Sequence, residues 1–175
     1  MLIRVAQPAD LEALTAFYTR MTHVINERTH QANPNHRIYP SAELIGEAID
    51  AGQQFVGVED GRIAVACIVN GSCDPSYHTV RWQAEAGPDE FWVIHALRVL
   101  PEYQGRGFAK QMLRHLIETA PDRGVRSIRL DILEGYEVAR LYENLGFGYV
   151  DTVEILYEDI GSYQRFRLLE KVIDK

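Results

Sequence analysis

Apolar residues at Leu11, Leu14, Phe17, Tyr18, Met21 and Ile25 recur three and four positions apart, the spacing of a helix with one buried face. The pattern predicts a helix from about Leu11, with Pro8-Ala9-Asp10 supplying a turn and an Asp N-cap. Leu2 to Val5 reads as a short strand before it. Residues 26–40 break the period with Asn26, His30, Asn33-Pro34-Asn35-His36 and Pro40, and read as a long loop of the kind that often carries function. Ser41 is placed to cap a second helix carrying Leu44, Ile45, Ala48 and Ile49 and stopped by Gly52. Phe55 to Val58 and Ile63 to Val69 read as strands joined through Glu59-Asp60-Gly61-Arg62, where Asp-Gly signals a hairpin.

Residues 70–90 hold Gly71, Pro75, Gly87 and Pro88 with the aromatics Tyr77 and Trp82, and read as an irregular connection with room for a strand. Phe91 to Leu100 is a near-continuous apolar run interrupted by His95 and Arg98, as expected of a central strand buried on both faces. Pro101 stops it, and a glycine turn at 104–107 leads into a helix with Ala109, Met112, Leu113, Leu116 and Ile117 on one face, closing near Pro121. Ile128, Leu130 and Ile132 alternate with charged residues as a strand; Val138, Leu141, Tyr142 and Leu145 mark a short helix ended by Gly146. Tyr149 to Tyr157 and Tyr163 to Leu169 form a last strand pair, joined through Glu158-Asp159-Ile160-Gly161-Ser162. There is no internal repeat, low-complexity segment or linker, and 175 residues suit one domain over 1–175. The order predicts an α/β fold, mixed α+β, with helices packed on a mixed sheet.

Composition narrows the partners. A hydrophobic fraction of 46% and a charged fraction of 25% are ordinary globular usage. A net charge of -7 argues against nucleic acid or an anionic membrane as the main partner. Cys67 and Cys73 form no C-x-x-C pair, and no apolar stretch suits a leader or a membrane span, so a reduced, cytoplasmic protein is expected. His23, His30, His36, His78 and His115 show no i, i+4 pair and no attendant cysteine ligands, so no metal site is expected.

Chemistry concentrates where the apolar strand runs into the glycine turn, His95-Ala96-Leu97-Arg98-Val99-Leu100-Pro101-Glu102-Tyr103-Gln104-Gly105-Arg106-Gly107-Phe108-Ala109-Lys110. First-turn amides of a helix lack internal partners, and the helix dipole favours an anion there. Glycines at 105 and 107 permit positive φ and close approach of a ligand to the backbone. From Arg98 to Arg114, four basic residues outnumber the single acidic Glu102, a local charge of +3 that suits a polyanion. No Gly-Lys-Ser/Thr follows for a P-loop, and Lys110 stands where a dinucleotide fingerprint has a small residue.

Gln104-x-x-Gly107-x-Ala109 resembles the acetyl-CoA signature of the GNAT superfamily of N-acetyltransferases, Gln/Arg-x-x-Gly-x-Gly/Ala after a strand. Downstream, Leu141-Tyr142-Glu143-Asn144-Leu145-Gly146-Phe147 is similar to the family's Leu-Tyr-Glu-x-x-Gly-Phe block. The resemblance covers nearly the whole chain in element order. It implies a GNAT-like central, mostly antiparallel sheet of about seven strands with about four helices, and acetyl-CoA as acyl donor. It implies further that the backbone at Leu97, Arg98 and Val99 pairs with the pantetheine arm and that Gln104, Gly105, Arg106, Gly107, Phe108 and Ala109 hold the pyrophosphate, with Lys110 or Arg106 near it. Seven residues before Tyr142, where the family often has a cofactor-touching asparagine, this chain has Gly135.

Acetyl transfer to an amine needs a polarised thioester carbonyl, a neutral amine and a proton for the departing thiolate. Strand amides at 97–99 suit the first need. The resemblance makes Tyr142 the general acid, although helical spacing alone reads it as a core tyrosine. His95 is the candidate base or proton relay, with a hydrogen-bonded core histidine as its other reading. Asp131 and Glu134 stand behind it as backup bases, with a solvated strand end as their plainer reading. Tyr39, Tyr77, Trp82 and Trp92 are candidates to line an acceptor pocket. The expected function is N-acetylation of a primary amine on a small molecule; the alternatives are a protein or peptide acceptor, a longer acyl chain, or a non-catalytic acyl-CoA-binding regulator. The apolar Tyr163 to Leu169 run suggests a sheet edge and a homodimer.

Overall fold

Asp60 and Gly61 both adopt positive φ, 50° and 74°, the backbone a two-residue hairpin needs. Gln54–Glu59 (β2) and Arg62–Asn70 (β3) therefore close in antiparallel register, with Glu59 opposite Arg62. This computed structural model describes residues 1–29, 37–135, 138–157 and 161–173. Among them, seven strands are hydrogen-bonded in the order β1-β2-β3-β4-β5-β7-β6, and four α-helices accompany them. Packing groups the chain into two units: Met1–Val69 with His95–Met112, and Asn70–Ile94 with Leu113–Tyr157 and the chain from Ser162.

In the first unit, Leu2–Val5 (β1) pairs with β2. Leu11–Thr29 (α1) buries Leu14, Phe17, Tyr18 and Met21 of the face its spacing predicted, while Leu11 at its start is exposed and Ile25 half-buried. It continues past Ile25 through Asn26–Thr29, because that stretch holds neither Gly nor Pro and modest propensity does not stop an established helix. The rest of the predicted loop up to residue 36, with His30 and His36, lies outside the described residues. Ser41 accepts a bond from Leu44 N–H at 3.2 Å and caps Ala42–Asp50 (α2), which buries Ile45, Ala48 and Ile49. Gln54 is fully buried between α1 and the strands, its amide donating to Tyr18 Oη at 3.3 Å and to the Cys67 carbonyl at 2.9 Å.

Phe91–Val99 (β4) and Phe108–Thr119 (α3) each contribute to both units. The second unit holds Ser127–Leu133 (β5), Ala139–Glu143 (α4), Gly148–Leu156 (β6) and Tyr163–Val172 (β7). Phe91, Trp92 and Val93 of β4 pair with Ser127, Ile128 and Arg129 of β5, a parallel pairing; β7 runs antiparallel to both β5 and β6. The expected Tyr163 to Leu169 edge is thus corrected: β7 lies inside the sheet, and β6 is outermost. The connection before β4 holds no strand. It carries a single 3-10 turn, Pro75–His78, started by Asp74 Oδ1 accepting from Ser76 N–H.

What fixes that connection is a buried ionic network. The Arg129 guanidinium lies 4.3 Å from the ring centres of both Trp82 and Phe91. Its Nε donates to Ser127 Oγ at 3.1 Å and stands 3.5 Å from Glu170 Oε1. Glu170 also accepts from the Ser127 hydroxyl at 2.6 Å and from Gln83 N–H at 2.6 Å. Removing one partner of such a pair strands the other charge without water. Glu170→Ala is therefore expected to destabilise the protein by about 3–5 kcal/mol, read as a fall in urea midpoint. A loss below about 1 kcal/mol, the level of an exposed pair, would show that the network contributes little.

Candidate active site

After β4, the Tyr103 amide donates to the Leu100 carbonyl at 2.9 Å and Gln104 N–H to Pro101 O at 3.2 Å, forming a tight 3-10 turn. The Gln104 side chain then reaches back, its Nε2 donating to the Val99 carbonyl at 2.9 Å, which ties the turn to the strand end. Gly105 and Gly107 have φ of 75° and 77°. No atom lies within 4 Å of a Cβ built on either, so backbone conformation rather than crowding demands glycine, and the space beside them is open. The first intrahelical bond of α3 runs from Gln111 N–H to Gly107 O at 3.0 Å. The amides of Phe108, Ala109 and Lys110 precede it and have no acceptor within the helix. Buried Phe108 and Tyr103 stack at 5.8 Å and root the turn in the first unit. This donor set fits a diphosphate.

The basic side chains around the turn differ in their engagements. Arg106 lies over Phe108 at 4.8 Å and Tyr103 at 5.4 Å, and its Nη2 donates to Glu59 Oε1 at 3.1 Å. Arg98 donates to the carbonyl of its neighbour Leu97 at 3.0 Å, and Lys110 is exposed. Glu102 accepts both arms of Arg20 at 2.7 and 2.9 Å.

The expectation of a strand buried throughout holds for β4 near its start and fails from His95 onward. Phe91, Val93 and Ile94 are buried, whereas every residue from His95 to Val99 is half-buried. Ala96 sits between His95 and Leu97 with φ of 49°, a left-handed conformation that costs an alanine about 1–2 kcal/mol. Such strain in a strand marks a kink that re-aims neighbouring side chains and is frequent beside functional sites.

Tyr142 is 7% exposed in α4, and its ring meets Phe147 edge-on at 5.7 Å. Its carbonyl accepts from Leu145 N–H at 2.9 Å and Phe147 N–H at 3.1 Å, so the chain reversal into β6 hangs on this residue. Asp131 is not the solvated strand end its sequence suggested. The hydroxyls of Tyr77 and Tyr157 both donate to its Oδ2, at 2.7 and 2.8 Å. Burial and the facing carboxylate push the Tyr77 hydroxyl well above its usual pKa, so it stays a donor. Glu134 does lie in solvent, with an exposed Arg165 pair at 3.1 Å. Of the proposed pocket aromatics, Trp82 is committed to structure through its Nε1 bond to Tyr77 O at 2.8 Å and its Arg129 contact. Trp92 lies 5.6 Å from Arg123, and Tyr39 is exposed. Tyr157 and Glu59 escaped the sequence reading because their partners lie 26 and 47 positions away, with no local pattern to announce them. Among the described residues, no group of His, Cys, Asp and Glu is arranged to hold a metal.

Known proteins share the fold and family of this chain. A [Ribosomal protein bS18]-alanine N-acetyltransferase of Haemophilus influenzae is 40% identical over 55 residues, 31% of this chain and 38% of that relative's length. An acetyltransferase of the GNAT family from Streptococcus agalactiae has the same fold, with a TM-score of 0.77 at 20% identity over 99% of this chain and 96% of that one. The structure of yncA from Salmonella typhimurium with its cofactor acetyl-CoA superposes with a TM-score of 0.72 at 20% identity, over 100% of this chain and 95% of that one. Residues 14–147 match the model of the acetyltransferase (GNAT) family, and the chain belongs to that family.

Proposed function

We propose that the protein is an acetyl-CoA-dependent N-acetyltransferase that moves the acetyl group to a primary amine by direct attack on the thioester. One observation carries the reading: a family member presents three first-turn amides and two positive-φ glycines in a turn tied to β4 by Gln104. In this reading the amides of Phe108, Ala109 and Lys110 bind the pyrophosphate. Backbone groups at Leu97, Arg98 and Val99 pair with the pantetheine arm, and an N–H there polarises the carbonyl. The bound cofactor supplies an activated acetyl group. As the amine nitrogen forms its bond to the carbonyl carbon and the carbon–sulfur bond breaks, His95 takes the ammonium proton and Tyr142 protonates the thiolate. The half-buried setting of His95 beside the Ala96 kink and the placement of Tyr142 in the family block support these assignments. An acidic protein of charge -7 favours a cationic small-molecule amine. A second acceptor, the N-terminal amine of a protein, is favoured by the name of the Haemophilus relative. Cys67 and Cys73 are both free thiols, in keeping with a cytoplasmic enzyme.

Isothermal titration with acetyl-CoA is expected to show saturable binding, with none for NAD or ATP. Thiol release across a panel of small amines and peptides then identifies the acceptor, and the absence of binding would reject the enzyme reading. Gly107→Val forces a side chain onto φ of 77°, at about 1–2 kcal/mol, and fills the cradle. It is expected to abolish acetyl-CoA binding while circular dichroism remains native; undiminished binding would refute the pyrophosphate turn. Tyr142→Phe keeps the ring that packs on Phe147 and removes the hydroxyl. Turnover should fall at least about tenfold with acetyl-CoA affinity held within about threefold, and unchanged turnover would remove Tyr142 from the mechanism.

A further inference from the structure

Arg106 occupies the middle of the cradle, between the two positive-φ glycines, yet its guanidinium is engaged by an acidic residue of a different element. Glu59 ends β2, and the hairpin turn at Asp60 and Gly61 fixes where it stands. Its Oε1 accepts from Arg106 Nη2 at 3.1 Å, and its Oε2 lies 2.9 Å from the Met1 ammonium.

Two other arginine–carboxylate contacts of this unit, among the described residues, are forks. Arg20 meets Glu102 at 2.7 and 2.9 Å, and Arg4 meets Asp10 at 2.6 and 2.9 Å. Two parallel bonds fix a guanidinium in place, whereas the single bond from Arg106 to Glu59 leaves its remaining donors to turn toward another acceptor. The rings of Phe108 and Tyr103 beneath the guanidinium provide a platform on which it swivels without losing its cation–π contact. Arg106 is 47% exposed and Glu59 21%, so their pairing is weak. A diphosphate carries more charge than a carboxylate and accepts two arginine bonds at once.

We propose that Glu59 and the pyrophosphate of acetyl-CoA compete for Arg106, so that Glu59 is a positioning residue that holds acetyl-CoA affinity below what the cradle alone would give. The inference rests on the assignment of the 104–110 turn to acetyl-CoA. It makes an unusual demand: loss of a native contact must tighten binding, which structural damage does not do.

The test is isothermal titration of acetyl-CoA into the wild type, Glu59→Gln, Arg106→Gln and the double variant, at low salt and at about 0.5 M salt. Glu59→Gln is expected to bind about two- to fivefold tighter at low salt, the range an exposed ion pair commands. Arg106→Gln should bind more weakly, and adding Glu59→Gln to it should change nothing further. At high salt the gain should shrink toward zero as the exposed charges are screened. Equal or weaker binding by Glu59→Gln, or a gain that survives in the Arg106→Gln background, would overturn the proposal while leaving the cofactor turn standing. A wild type that takes up no acetyl-CoA would overturn the cofactor turn and the proposal together.

Discussion

The interaction on which the candidate site depends is the bond from the Gln104 side chain to the Val99 carbonyl. A strand that ends in a proline turn has no intrinsic reason to deliver the following helix at a set position. Gln104 holds the turn against the strand end, and the two positive-φ glycines carry the chain into the first turn of α3. The amides of that first turn are unsatisfied by helix geometry. Such amides at a helix start are suited to an anion, which would satisfy them.

Within β4, burial and strain change together. Phe91, Val93 and Ile94 are packed as core, and the register with β5 covers Phe91 to Val93. From His95 the residues become half-buried, and Ala96 takes a conformation that costs an alanine free energy. A strained residue persists only where surrounding structure over-determines it. Here the buried half of the strand anchors one side, and the bond from Leu100 N–H to Ala64 O, at 3.0 Å, anchors the other. A polar histidine is thus kept in the middle strand of a sheet without being sealed into the core.

The two units handle charge differently. In the second, Arg129 and Glu170 are buried together, and each of the groups around them supplies a hydrogen bond or an aromatic face. That arrangement immobilises the irregular connection through Trp82 and Gln83, so a segment without regular secondary structure has a defined path. In the first unit the charges near the cradle are exposed and individually weak. Weak pairs of this kind exchange partners readily.

Much of this was legible in the chain. Helical spacing announced α1, Asp-Gly announced the β2–β3 hairpin, Ser41 announced α2, and the glycines at 105 and 107 announced the turn into α3. Each of these is a local property: period, turn chemistry and caps act over a few residues, and the chain carries them wherever it goes. Tertiary structure decided what depends on distant residues. It put β7 inside the sheet rather than at the edge, placed Tyr77 and Tyr157 on Asp131, and brought Glu59 to Arg106. It also chose where β4 stops being core, because an apolar run reads the same whether its neighbours cover it or leave it half-buried. Long-range pairing depends on how elements fold back on one another, and no periodicity along the chain encodes the partner across a gap of tens of residues.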